Sequence, residues 1–247
     1  MKRTLIVIML SLLMAGGLYA QAAGEDTSSF VASTTWTAAF ADLAGVDEIT
    51  VIAPATLRHP PEYELVPSDI VTIQNARFFV SAGYERMMST IQEGIPSDER
   101  VDIHITTEND RRNVVRMADL IASYTGTDVR YEDYVEMMDE AALRIEELGL
   151  DGLRVWCQGM LTPMAEDLGL NVVATFSGEL TPSQIEEASS GAYDLILDNY
   201  HNPSTSPLEG VVDCPIVIWR NFPETSGRGA LEDMMRANID AVLELYD

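Results

Sequence analysis

The chain has 247 residues, 47% of them hydrophobic, and carries 40 acidic side chains against 15 basic ones, for a formal net charge of −25. That length and apolar share fit one large or two small globular domains and exclude a disordered chain. The acidic balance excludes nucleic acid and anionic membrane as partners, because both would be repelled, and it raises the local concentration of cations.

The N-terminus reads as an export signal. Lys2 and Arg3 precede an apolar run from Thr4 to Met14, and small residues follow, with a cleavage point after Ala20 or Ala22. The run is too short to span a membrane, and no cysteine follows it to carry a lipid. A periplasmic, unanchored and monomeric protein is expected. Cleavage would remove Lys2, the only lysine, together with Arg3, and take the charge from −25 to −27.

After a short leader, strands and helices alternate. Strands are predicted at 30–34, 48–53, 77–82 and 101–105, with helices to Gly45, over 67–76, over 84–93 and from Thr107 to about Tyr124. Thr107 with Asp110 resembles a capping box, and Gly126 stops the helix. Residues 131–148 read as one helix with no strand before it, since Val135, Met138, Ala142, Ile145 and Leu148 recur at helical spacing. The alternation then restarts, with strands at 153–157, 171–176, 194–198 and 215–219 and a closing helix over 229–246. Thr181-Pro182-Ser183-Gln184 is a helix start with a cap, a first-turn proline and a capping-box partner. The fold class is therefore α/β: two lobes, each a roughly four-stranded parallel sheet flanked by helices, joined by a connecting helix. The divisions are a signal peptide (1–22), a leader (23–29), an N-terminal lobe (30–129), the connecting helix (130–149) and a C-terminal lobe (150–247). A helical connection resists large bending, so small lobe movements are expected.

Two such lobes trap a ligand between them, at the carboxyl ends of their strands. All three histidines, His59, His104 and His201, fall at such strand ends. Imidazole is the commonest metal-binding side chain. Cys157 and Cys214 would lie at opposite edges of one parallel sheet, farther apart than the roughly 7 Å limit for a disulfide, so two free thiols are expected. The adjacent pairs Met87-Met88, Met137-Met138 and Met234-Met235 point to different helix faces, which suits core packing better than copper binding.

The chain resembles the zinc- and manganese-type solute-binding proteins of bacterial ABC transporters. Val51-Ile52-Ala53-Pro54, His59-Pro60-Pro61-Glu62-Tyr63-Glu64 and Pro67-Ser68-Asp69-Ile70 are similar to that family's first ligand loop and the helix after it. Ala82-Gly83-Tyr84-Glu85 resembles the turn after its third strand, and Asp102-Ile103-His104 lies where it carries its second ligand histidine. The resemblance places Pro61 at the family's first histidine and Gln158 at its second-lobe ligand. It implies capture of a divalent metal ion in the cleft and delivery to a permease in the inner membrane, with no bond made or broken. His59, His104 and His201 are the metal-ligand candidates, with an oxygen donor from Glu62, Glu64, Asp198 or Glu224. Three imidazoles tilt the expected ion to Zn2+, with Mn2+ as the alternative. A chelated metal or an organic solute in the same cleft is a second reading. A metal-dependent hydrolase is a third, which lacks any His-Glu-x-x-His, Gly-x-Ser-x-Gly or phosphate-loop motif to support it.

Overall fold

The structure, a computed structural model, describes residues 29–96 and 99–246. The predicted signal peptide, and the leader apart from Ser29, lie outside the described residues. The first sheet contains β1 (Phe30–Ala32), β2 (Ile49–Val51), β3 (Phe78–Ser81) and β4 (Val101–His104) in the order β2-β1-β3-β4, and every pairing is parallel. The second contains β5 (Val155–Gln158), β6 (Val172–Phe176), β7 (Leu195–Asn199) and β8 (Ile216–Trp219) in the order β6-β5-β7-β8, again parallel throughout. The helices are α1 (Thr35–Leu43), α2 (Pro67–Gln74), α3 (Met87–Gly94), α4 (Arg111–Thr125), α5 (Glu132–Glu147), α6 (Thr162–Asp167), α7 (Pro182–Ser189) and α8 (Ala230–Leu243).

Burial explains the strand sequences. The central strands β1, β3, β5 and β7 are buried at every position, and they read as continuous apolar runs until their carboxyl ends. The edge strands β2, β4, β6 and β8 interleave exposed or half-buried positions. At the start of α4 the cap differs from the expectation. Asp110 caps the helix by accepting the N–H of Asn113 at 2.9 Å, while Thr107 stays in the preceding loop. The predicted box at Thr181 and Gln184 is present. Each methionine of the three adjacent pairs is buried.

The two sheets share a large core, and each also keeps a smaller one of its own, around Ile73 and Phe79 in the first lobe and around Trp156 and Ile196 in the second. One apolar cluster runs from Phe40 and Val80 in the first lobe, through Tyr134 and Met138 of α5, to Leu197 and Trp219 in the second. The final helix returns to the first lobe, where the Asp42 carboxylate accepts the N–H of Gly229 at 2.9 Å. Gly45 permits a close crossing, because its φ is +88° and a Cβ there would lie 2.0 Å from the carbonyl oxygen of Asp128.

Arg111 ties three elements together. Its guanidinium and backbone N–H both reach the carboxylate of Asp167 in α6, and a further N–H reaches Asp139 in α5. This partly buried, multidentate contact is worth more than an exposed pair. Arg111→Ala is expected to lower unfolding free energy by about 1–3 kcal/mol. Urea denaturation checks this, and a loss under about 0.5 kcal/mol, the scale of an ordinary surface change, would refute it.

Candidate functional site

The carboxyl ends of β1, β3, β4 and β5 open onto one cavity of about 330 Å3 between the lobes. Trp36, Ala82, Tyr84 and the 105–108 loop line it from the first lobe, and Gly159, Met160 and Pro163 from the second. Tyr84 and Met160 are exposed large side chains, at 56% and 50%. A smaller hollow, lined by Thr34, Pro60, Pro61 and Phe222, also touches Trp36 and Tyr84.

Hydrogen bonds hold these walls in place. Thr34 caps α1 by accepting the N–H of Thr37, which sets the turn that presents Trp36. The Trp36 indole N–H donates to Asn109 Oδ1 at 2.9 Å, and the Asn109 amide donates across the cleft to the Asn221 carbonyl at 2.7 Å. Trp36 also packs on Phe222 with centroids 5.5 Å apart. The phenol of Tyr134 donates to the Asn109 carbonyl, so the connecting helix braces the same loop. The Asn199 and Asn221 amides both lie 3.9 Å from the Met160 sulfur. Gln158 is buried, and its side-chain oxygen accepts the Met160 N–H at 2.8 Å.

Beside this wall lies a buried carboxylate. Glu85 is 3% exposed, and its Oε1 accepts the Ser33 hydroxyl at 2.5 Å and the Ala82 N–H at 2.8 Å. Its Oε2 has no hydrogen-bond partner, and no ion pair reaches it among the described residues. Such a group is costly unless something completes its bonding.

The three histidines sit in three different environments. His59 is exposed, just before the 3-10 turn Pro60–Glu62. His104 is exposed at the end of β4, with Nδ1 3.0 Å from the Ser81 hydroxyl across the β3–β4 register. His201 is 3% exposed, stacked on Phe222 at 3.5 Å, with Nε2 3.2 Å from the Phe222 carbonyl. Burial lowers its pKa from 6.5 to about 4. Tyr200 packs edge-on against it, and the guanidiniums of Arg58 and Arg220 lie over the Tyr200 ring.

The candidate oxygen donors are spread in the same way. Glu62 is exposed, Glu64 pairs with Arg86 at 2.9 Å, and Glu224 pairs with Arg220 at 3.1 Å. Asp198 is fully buried and accepts from the backbone N–H groups of Asn199, Ser204 and Thr205 and from the Thr205 hydroxyl. Among the described residues, no three His, Cys, Asp or Glu side chains are grouped to hold one ion. Both cysteines are free thiols. Cys157 is buried in β5, where burial pushes its pKa up to about 12, so it is no ready thiolate ligand.

No family model and no curated protein sequence matches the chain. Solved structures do. The SBP FpvC of Pseudomonas aeruginosa, in complex with Ni2+, matches with a TM-score of 0.66 at 16% identity over 87% of this chain and 95% of that one. FpvC with Mn2+ matches with a TM-score of 0.67 at 15% identity, over 88% and 98%. The Cd-bound periplasmic metal binding protein from Candidatus Liberibacter asiaticus matches with a TM-score of 0.66 at 16% identity, over 90% and 100%. The chain has the fold of a periplasmic metal-binding SBP.

Within this SBP fold, Trp36, Tyr84 and Met160 are the cavity residues that sequence reasoning passed over. Each follows closely on a strand end: Trp36 after β1, Tyr84 after β3 and Met160 after β5. A bulky apolar residue just past the carboxyl end of a buried strand, beyond the helix-facing pattern, is the signal that could have found them.

Proposed function

We propose that the chain is an extracytoplasmic solute-binding receptor. It would take its ligand into the cavity between the lobes and deliver it to the permease of an ABC importer in the inner membrane. The cavity itself supports this reading, because it opens where the carboxyl ends of two parallel sheets meet in an SBP fold. No catalysis is needed: the ligand is bound, carried and released. Among the described residues no helix is long and apolar enough to cross a membrane, so transport would need a separate permease. A mutant strain lacking the protein should lose high-affinity uptake of the cargo, and uptake unchanged for every candidate cargo would reject the receptor role.

Two kinds of cargo rest on different observations. A divalent transition metal is what the structurally similar proteins hold, as Ni2+, Mn2+ or Cd2+. In this chain a bare Zn2+ or Mn2+ ion would need His59, His104 and His201 to be drawn together, with Glu62, Glu64, Asp198 or Glu224 supplying oxygen. The present arrangement favours a ligand that brings its own bulk, either an organic solute or a metal already wrapped in a chelator. The cavity has the volume of a small-molecule site, and a bare ion would leave most of it unfilled.

Elemental analysis of protein purified without a metal-affinity tag separates the two. Near-stoichiometric metal that falls at least about 10-fold in His59→Ala, His104→Ala and His201→Ala would establish the bare-ion site, since losing one of three or four ligands weakens such sites by more than that. Metal content below about a tenth of stoichiometry, unchanged by those substitutions, is the expected result.

A further inference from the structure

The lining of the cavity narrows its ligand class, on the footing that the chain is a solute-binding receptor. The walls are aromatic and apolar: Trp36, Tyr84, Ile105, Met160 and Pro163. The one charged side chain among the lining residues is an acid, Glu108. Behind the wall made by Ala82 and Tyr84 lies the Glu85 carboxylate, within 2.8 Å of the Ala82 nitrogen, with one oxygen bonded and the other unpartnered. No lysine, arginine or histidine lines the cavity among the described residues. The groove behind α5, at about 630 Å3, is larger, but Arg111, Asp139 and Asp167 there already satisfy one another.

We propose that the cavity between the lobes binds a small organic cation, an ammonium or quaternary amine, between the rings of Trp36 and Tyr84, with Glu85 and Glu108 as its negative counter-charge. Each feature is needed for that chemistry. Aromatic faces attract a cation through their quadrupole, and the attraction grows when water is excluded. The thioether of Met160 gives a soft, polarisable opposite wall. The Tyr84 phenol lies 3.2 Å from the Thr107 hydroxyl, a contact that fixes the ring against the 105–108 loop. Glu85 does not line the cavity, so its charge acts on the ligand through the thin wall made by Ala82 and Tyr84. A carboxylate-bearing or phosphorylated solute would meet Glu108 in the lining, with Glu85 behind it, while the nearby base Arg116 is turned to the Thr106 hydroxyl and to Asn113. The net charge of −25 steers cations towards the whole molecule.

The test uses the full chain in isothermal titration calorimetry, with intrinsic tryptophan emission as an independent readout. The probes are tetramethylammonium, choline and benzyltrimethylammonium, with 3,3-dimethylbutan-1-ol as the neutral isostere of choline and zinc chloride as the metal arm. At least one ammonium probe is expected to bind, and choline at least about 10-fold more tightly than its isostere. Glu85→Gln keeps an oxygen for Ser33 and Ala82 while removing the charge. It should weaken ammonium binding roughly 10- to 100-fold and leave the isostere unchanged. Glu108→Gln, on the exposed rim, should cost only about 2- to 5-fold and serves if Glu85→Gln does not fold. The proposal is overturned if none of the three ammonium probes binds below about 10 mM, if the isostere binds as well as choline, or if both charge removals leave the affinity unchanged. Zinc binding in place of the amines would overturn it too, yet leave the receptor role standing. The receptor role fails separately, through the uptake measurement on the mutant strain.

Discussion

Asp198→Ala is expected to lower unfolding free energy by about 3–5 kcal/mol. The carboxylate sits at the carboxyl end of β7, fully buried, and collects four donors from residues 199–205. Truncation leaves three backbone N–H groups and a hydroxyl without an acceptor in a place water reaches poorly. Asp198→Asn should cost less, because one amide oxygen can still accept, but its NH2 would face donors. Guanidinium denaturation measures both. A loss under about 1 kcal/mol for alanine would mean that the loop is not organised by this carboxylate. The same geometry argues against Asp198 as a metal ligand, since its lone pairs are already committed.

The second large effect is on pH. Folded His201 has its pKa lowered to about 4 by burial, against 6.5 ordinarily. Below pH 6.5 the unfolded chain takes up a proton that the folded chain refuses until about pH 4. Stability from this site is therefore fully present above about pH 6.5, falls as pH drops through that window, and levels off below about pH 4. The total is up to about 3 kcal/mol. His201→Gln removes the titration. The stability gap between wild type and this variant should shift by about 2 kcal/mol between pH 7 and pH 4.5, in the direction that penalises wild type in acid. An unchanged gap would show that the imidazole is already protonated or solvated in the folded protein. Asp194, held down to about 2 by Arg154, titrates below this window and is common to both proteins.

The fold was readable because burial leaves its mark on composition. β3 and β7 are apolar until their carboxyl ends, as strands covered on both faces are, and the helix over 131–148 showed its period clearly. The site was less readable, for reasons that can be located. Order along the chain put His59, His104 and His201 at strand ends; β4 does end on His104 and His201 follows β7 closely, whereas His59 lies far along the loop after β2, and direction is a separate matter. The Pro60–Pro61 turn leaves His59 exposed, the edge position of β4 leaves His104 exposed, and the loop tied down by Asp198 folds His201 inward beneath Tyr200 and onto Phe222. None of these directions has a periodic signature. The resemblance put Pro61 and Gln158 where ligands were expected; Pro61 has no donor atom in its side chain, and the Gln158 side-chain oxygen, a weak ligand, already accepts the Met160 N–H.

The apolar cluster shared by both sheets has a consequence for how the molecule comes apart. Each half keeps a small apolar cluster of its own, but the larger one, which holds Phe40, Val114 and Ile121, is continuous with the other half, so a fragment ending before α5 would lose that shared packing. Heating should therefore melt the whole assembly in a single calorimetric peak, and neither excised half should survive as an independent unit.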